Sequence, residues 1–399
     1  MGYCGYDLAM NGVFTQVDMG SLGSRFPDHP PSDARLGERD VVVDFSGESI
    51  ALSFDWLRDN CPCGDCRIAQ TDERRLQPWL YPAPIGRSAR VDNGAVAISW
   101  IDGHESRYEP TFWTAIRRSM QRNEYTATLW QKGHQLGRFQ HDSVLTDADD
   151  RRRMFEAFIR DGAVVVTDSP TVPGTVVDFM RAIRLTLIDS ALGFIFDVKL
   201  DPAGYNVAFT AEALPLHNDN AQSAHPPSGQ VLAMLVNEAS GGNSLVADGW
   251  SVLAQLQAVN PDAIEVLSSI DVGFRQYSTE ADGFTRAPLV RRDAAGRFVH
   301  LRFSNQLLQP LPFDHPRLAE WYSAYRALGE LIHRPENHIS FRLNAGDMLL
   351  VNGYRVLHAR EAFRPDGPRH LQDVYFCVDD VFSNVAQLMG NAVNAMVGS

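Results

Sequence analysis

Leu214-Pro215-Leu216-His217-Asn218-Asp219 is the stretch on which the reading of this chain turns. On an extended strand side chains alternate faces, so His217 and Asp219 point the same way. A histidine and a carboxylate at that spacing, joined by one distant histidine, make the facial triad that holds non-haem Fe(II) with positions left open. The distant partner is read as His358, in Tyr354-Arg355-Val356-Leu357-His358. A bare His-x-Asp occurs by chance in many chains, and two further features give this one weight. Arg369 stands eleven residues after His358, at the entry to the run Leu371 to Val378. If that run is a strand, Arg369, Leu371, Asp373, Tyr375 and Cys377 share one face. A fixed guanidinium there suits the distal carboxylate of a dicarboxylic cosubstrate, which it clasps with two parallel hydrogen bonds. Gly241-Gly242-Asn243-Ser244 adds a tight turn and a hydroxyl for the same carboxylate.

The 399 residues suffice for two domains and ample buried core. With 44% hydrophobic and 21% charged residues, the composition is that of an ordinary globular protein. A formal charge of −13 argues against nucleic acid as a partner. No apolar run approaches the ~18 residues of a membrane span, and the N-terminus lacks the basic and apolar regions of a signal peptide. Met1-Gly2 begins like a myristoylation signal, but Tyr6 stands where Ser or Thr is wanted. The expected setting is cytoplasmic and reducing, because Cys61, Cys63 and Cys66 are too close together for a disulfide framework and well spaced for metal.

Three thiolates in Cys-x-Cys-x-x-Cys want a fourth ligand to close a tetrahedral zinc site. The histidine within reach along the chain is His104, at the end of the strand-like run Ala95 to Trp100. The blander reading is that these cysteines are buried or redox-active, and their crowding weighs against it. Residues 38–125 thus read as a small zinc-binding β domain, after a Gly- and Pro-rich flexible leader at 1–37. Residues 126–399 read as mainly β with helical inserts. Amphipathic helices are expected over Asp147 to Arg160, with Gly162 closing the first, and from Thr175 to about Ile188. Further helices are expected over Trp250 to Gln257, from Pro261 with Asn260 as N-cap, and from His315 to about Leu331. Strands are expected at Ala163–Thr167, Ile339–Leu343, Met348–Val351 and Val374–Val378. Many short strands with helical inserts suit a distorted jelly roll.

Six pieces of the chain, in order, resemble the γ-butyrobetaine and trimethyllysine hydroxylases, within the taurine-dioxygenase-like Fe(II)/2-oxoglutarate oxygenases. They are WLRDNCPCGDC (Trp56 to Cys66), ISWIDGH (Ile98 to His104), NVAFTAEALPLHND (Asn206 to Asp219), GGNSLVADG (Gly241 to Gly249), LNAGDMLLVNGYRVLHAR (Leu343 to Arg360) and RHLQDVYF (Arg369 to Phe376). The likeness spans from about residue 38 to about residue 390. It implies a double-stranded β-helix, a homodimer, and hydroxylation of a small-molecule substrate with O2 and 2-oxoglutarate. It implies iron on His217, Asp219 and His358, structural Zn(II) on Cys61, Cys63, Cys66 and His104, and the 2-oxoglutarate C5 carboxylate on Arg369 with support from Ser244. Asn206 and Asn305 fall near the positions that bind the substrate carboxylate in these hydroxylases.

The substrate end departs from the pattern. Such hydroxylases hold a trimethylammonium group in an aromatic cage, each good desolvated contact being worth ~2 kcal/mol or more. The matching positions are Leu192, Phe196, Phe209 and Tyr375, one of them aliphatic and two of them Phe where Tyr or Trp is usual. Two readings stay open: a looser cage for a γ-butyrobetaine-like cation, or a different small amine, amino acid or aminophosphonate. A non-catalytic reading, a zinc-bearing barrel used as a binding module, is disfavoured by the intact ligand set. A halogenase is disfavoured by Asp219, which fills the place chloride would need.

Overall fold

The computed structural model describes residues 29–71, 73–115, 127–189, 193–201, 207–277, 282–385 and 387–388. The chain divides into two compact units, residues 1–125 and 126–399. No helix among the described residues is long and apolar enough to cross a membrane.

The first unit holds two three-stranded antiparallel sheets. One orders Asp33–Leu36, Asp40–Asp44 and Ser49–Ser53; the other orders Gly86–Asp92, Ala95–Trp100 and Glu105–Tyr108. Val41, Val43, Phe54, Leu57, Ile98, Trp100, Tyr108 and Trp113 form its core. The first strand corrects the extent of the leader, since residues 33–36 belong to the sheet. Only Ala34 of that strand turns inward, so its sequence carries no hydrophobic period to announce it. The helix Phe54–Asp59 is capped by Ser53, whose hydroxyl accepts from the Trp56 N–H at 3.1 Å, and it delivers the chain to Cys61.

The second unit is built on two sheets. The larger has seven strands, in the order Phe196–Lys199, Arg369–Phe376, Gly229–Asn237, Met348–Asn352, Ala163–Thr167 and Gly137–Gln140, with Leu187–Ile188 also on Arg369–Phe376. The smaller orders Leu214–His217, Val356–Arg360, Ser244–Asp248 and His338–Phe341. All pairs are antiparallel except Gly137–Gln140 on Ala163–Thr167. Two stacked antiparallel sheets with crossing connections form the expected double-stranded β-helix.

The helical inserts follow their sequence signals closely. Ala148–Asp161 starts on the Asp147 side chain, which accepts the Asp149 N–H, and stops at Gly162 in the left-handed region (φ 75°). Pro261–Ser269 opens with Asn260 accepting the Ala263 N–H at 3.1 Å. These caps answer donors that a helix start leaves unpaired. The helix expected from Thr175 to Ile188 ends at Ala182, and Leu187–Ile188 joins the large sheet instead. Pairing with Tyr375 and Phe376 overrides the local helical period there. Gly249–Val259, Pro261–Ser269 and Leu318–Ile332 bury Leu253, Leu256, Ile264, Leu267, Trp321 and Leu328 in one cluster against the smaller sheet. In the last of these helices the Trp321 and Tyr325 rings stack at 4.9 Å, with Trp321 in the core.

Candidate active site and zinc cluster

Strand register assembles the first centre. In the smaller sheet His217 stands directly opposite His358, and the two rings lie 4.4 Å apart between centroids. Asp219, just past the strand end, brings Oδ1 to 3.1 Å from His217 Nε2 and Oδ2 to 4.0 Å from His358 Nε2. One donor atom from each residue fits within a 4.8 Å cluster. His217 Nδ1–H donates to the Pro215 carbonyl at 2.8 Å, which leaves Nε2 as the ring atom that faces Asp219. A nitrogen and a carboxylate oxygen that close are bridged by a proton or, in its place, by a metal ion. Donors about 2.1 Å from an octahedral ion and at right angles lie about 3 Å apart, which the His217–Asp219 separation matches. The residues therefore fit a divalent ion bound on one face.

Charge follows the same logic. Burial opposes a proton on His217, and the hydrogen bond and charge of Asp219 outweigh it, holding that imidazole above its ordinary value. His358 is pushed down to about 4, first by burial and then by His217. Burial works to raise Asp219, but the His217 contact, the two histidine charges and the Tyr375 hydroxyl hold it below the usual carboxylate range.

The large sheet supplies the surroundings. On Arg369–Phe376 both faces are buried, and contacts separate them: His370 and Gln372 meet Asp197 on one side, while Asp373 and Tyr375 meet the metal carboxylate's neighbourhood on the other. The Tyr375 hydroxyl donates to Asp219 Oδ2 at 3.0 Å. Gln230, opposite Tyr375 in register, donates to Asp219 Oδ2 at 2.6 Å and to Asp373 Oδ2 at 2.8 Å. Asp219 thus keeps Oδ1 for the His217 side while Oδ2 is tied down, which favours a single-oxygen ligand and leaves coordination faces free. Asp373 is pushed well above the ordinary carboxylate range, first by burial and then by the Asp219 charge.

Arg369 is buried with no hydrogen-bond partner on Nε, and its guanidinium lies over the Phe363 ring at 5.4 Å. Burial first, then Arg360 and Arg342, push it down to about 10, which leaves it charged at neutral pH. Its neighbours are committed elsewhere. Arg342 donates to the Asn237, Ala239 and Gly241 carbonyls, and Arg360 to those of Ala208, Thr210 and Glu212. Among the described residues no carboxylate pairs with Arg369, and a buried guanidinium so placed fits the distal carboxylate of 2-oxoglutarate. Ser244 is buried on the neighbouring strand, opposite Arg360 in register.

The substrate positions are less complete. Phe196 on its edge strand and Phe209 in the 3-10 turn Val207–Phe209 meet edge to face at 5.3 Å. Leu192 and Asn206 lie outside the described residues. Asn305 is exposed, accepts a hydrogen bond from the Tyr325 hydroxyl at 2.8 Å, and lines a groove of about 370 Å³ with Pro215, Leu216 and Phe303. Sequence reasoning passed over Gln230, Arg360 and the role of Asp373. Asp373 was within reach through its two-residue spacing from Tyr375, whereas Gln230 meets Asp219 only through sheet pairing.

In the first unit, His104 Nε2 lies 3.3, 3.6 and 3.6 Å from the sulfurs of Cys61, Cys63 and Cys66. Sulfur and nitrogen bound tetrahedrally to zinc lie about 3.5 Å apart, so the four donors fit that ion. Burial pushes Cys61 up to about 12 and also raises Cys66; at Cys63 it is outweighed by backbone N–H groups and the neighbouring thiols, and that thiol is lowered. Arg58 donates to Cys66 Sγ at 3.0 Å.

Residues 125–375 match the Taurine catabolism dioxygenase TauD, TfdA family, and residues 34–112 match the Gamma-butyrobetaine hydroxylase-like N-terminal family. The chain belongs to the TauD/TfdA dioxygenases. It is 33% identical over 343 residues to the γ-butyrobetaine dioxygenase of Pseudomonas sp. strain AK-1, covering 84% of this chain and 89% of that one. It is 27% identical over 355 residues to human γ-butyrobetaine dioxygenase, covering 85% and 91%. The mitochondrial trimethyllysine dioxygenase of Gallus gallus is 28% identical over 358 residues, covering 86% and 84%. The protein is a dioxygenase of the Fe(II)- and 2-oxoglutarate-dependent kind.

Proposed function

We propose that this dioxygenase hydroxylates an unactivated C–H of a small cationic substrate of the γ-butyrobetaine type, with a carboxylate at one end and an ammonium at the other. The observation that carries the reading is the pairing of a three-donor cluster with a buried arginine, on the same strand as Tyr375, that pairs with no carboxylate among the described residues. Relatives named γ-butyrobetaine dioxygenase support the substrate type. When bound, Fe(II) and 2-oxoglutarate supply the oxidation, in which O2 and the oxo acid give succinate, CO2 and one hydroxyl on the substrate. His217, Asp219 and His358 would hold the ion, and Gln230 and Tyr375 keep the carboxylate turned to it. Arg369 would clasp the far carboxylate of the oxo acid, and Phe196 and Phe209 would wall the substrate from water. The four donors of Cys61, Cys63, Cys66 and His104 would hold structural zinc with no position left for chemistry. A cytoplasmic homodimer is the setting we infer from the family resemblance and the reduced cysteine cluster, and light scattering on the purified protein checks the dimer.

The reading is tested by succinate formation from 2-oxoglutarate and O2, with γ-butyrobetaine, trimethyllysine and their less methylated analogues as substrates. Stimulation by one of these in wild type, absent in Asp219→Ala, is the expected result. Failure of every ammonium compound to stimulate turnover overturns the substrate type.

A further inference from the structure

Sheet pairing brings only two of the three iron ligands together. The strand Leu214–His217 ends at its first ligand, where His217 faces His358 in register, and Asp219 lies two residues further on, in the turn. Strand periodicity therefore does not aim Asp219 at the histidines. What holds the turn is the residue between the two ligands. Asn218 is only 3% exposed, and its side-chain amide is used from both ends. Nδ2 donates to the Gly353 carbonyl at 2.8 Å and to the Val356 carbonyl at 3.4 Å, while Oδ1 accepts the Phe303 N–H at 2.8 Å. The Asn218 N–H donates in turn to the Phe303 carbonyl at 2.8 Å, so the two residues close a ring of two hydrogen bonds.

These partners reach Asn218 from two directions. Val356 opens the strand Val356–Arg360, which carries His358 two residues later, and Gly353 belongs to the turn before it. Phe303 is part of the buried cluster that packs against the smaller sheet. Beside Phe303, Arg302 fastens the chain that follows the ligands. Its guanidinium donates to the carbonyls of Ala221 at 2.6 Å, Ser223 at 2.7 Å and Ala224 at 3.4 Å. A side-chain amide carries a donor and an acceptor like those of a peptide group, so it continues backbone pairing where the strand has stopped.

We infer that Asn218 is a positioning residue of the iron centre: its amide locks the turn bearing Asp219 to the entry of the strand bearing His358, and so sets the ligand spacing before the metal arrives. The inference rests on the three-donor cluster binding the ion and is independent of the substrate. Groups that orient metal ligands change metal affinity about ten- to a hundredfold when removed. Coupling of this kind is reciprocal. An ion that binds more tightly because Asn218 is engaged holds Asn218 engaged by the same factor.

The probe is Co(II), whose visible absorption reports ligand geometry as well as occupancy. The zinc-loaded full chain is titrated with it in wild type, Asn218→Asp, Asn218→Ser and His217→Ala, the last to identify the signal of the three-donor site. Asn218→Asp keeps the shape and loses the donor, and Asn218→Ser is too short to span the contacts. Both should bind Co(II) about tenfold or more weakly than wild type, with an altered spectrum. The rise in melting temperature that Co(II) confers should shrink in step. Equal loss of melting temperature with and without Co(II), at unchanged affinity and spectrum, overturns the inference and makes Asn218 a residue of the fold alone. In wild type, Co(II) should slow amide hydrogen exchange in peptides spanning Phe303 by about tenfold or more, and by more than in the helix Leu318–Ile332. Exchange at Phe303 that is unchanged, or slows no more than the helix, overturns the inference even if neither variant folds. Absence of a Co(II) signal that His217→Ala removes discards the three-donor reading itself, whereas binding without dependence on Asn218 leaves that reading standing and removes only this inference.

Discussion

The two donor clusters of this chain differ by one ligand and by what surrounds them. Cys61, Cys63, Cys66 and His104 close on one another from all four corners of a tetrahedron. His217, Asp219 and His358 gather on one side only, with the Asp219 side chain 28% exposed. A closed set can only hold structure together; a three-sided set leaves room for ligands that react. Their supporting contacts differ in kind as well. Arg58 places a positive charge against the thiolate cluster, whereas Gln230 and Tyr375 tie back one oxygen of the iron carboxylate and so keep the remaining faces free.

The sharpest way to test that contrast is Cys61→Ser. Structural zinc contributes about 10–16 kcal/mol to the folding of small zinc domains, so the variant should lose its zinc and unfold residues 29–115. Metal analysis and the near-ultraviolet signal of Trp100 and Trp113 read the loss. Iron affinity of the second unit is expected to survive; if it falls in step, the division of labour between the clusters is wrong.

Arg369→Ala comes next. Removing a charge-assisted clasp worth about 3 kcal/mol should raise KM for 2-oxoglutarate about a hundredfold, and Arg369→Lys should recover only part, since an ammonium cannot make the paired contact. An unchanged KM would mean that the cosubstrate lies elsewhere.

The smallest effect separates positioning from cage. Tyr375→Phe keeps the ring and removes the hydrogen bond to Asp219. Iron affinity is expected to fall about tenfold, as when other groups that orient metal ligands are removed. Binding of the substrate cation should change little. The reverse pattern would return Tyr375 to the cage.

Much of this is legible in the sequence. The His-x-Asp spacing named the donors, although the strand expected to carry both ends at His217, and Asp219 reaches the site from the turn beyond it; the cysteine spacing announced a four-donor site, and Asp147, Gly162 and Asn260 marked helix ends to within a residue. Those signals are local: each depends on a backbone period or on a donor that a nearby side chain must answer. Where a segment's partner lay far along the chain, the reading slipped. Leu187–Ile188 was expected in a helix and became a strand because Tyr375 and Phe376 were there to pair with it. Asp33–Leu36 was expected in a leader and became a sheet edge through Asp40–Asp44.

By itself the sequence determined the donor types, their spacing and the class of chemistry, because these follow from residue identity and strand or turn geometry over a few positions. Only the tertiary structure decided which oxygen of Asp219 faces His217, that Gln230 joins it to Asp373, and that the Tyr375 hydroxyl belongs to the metal side. Those contacts span 11 residues in one case and 143 and 156 in the others. They are set by sheet register, and register is a property of the whole packed core that no local pattern contains.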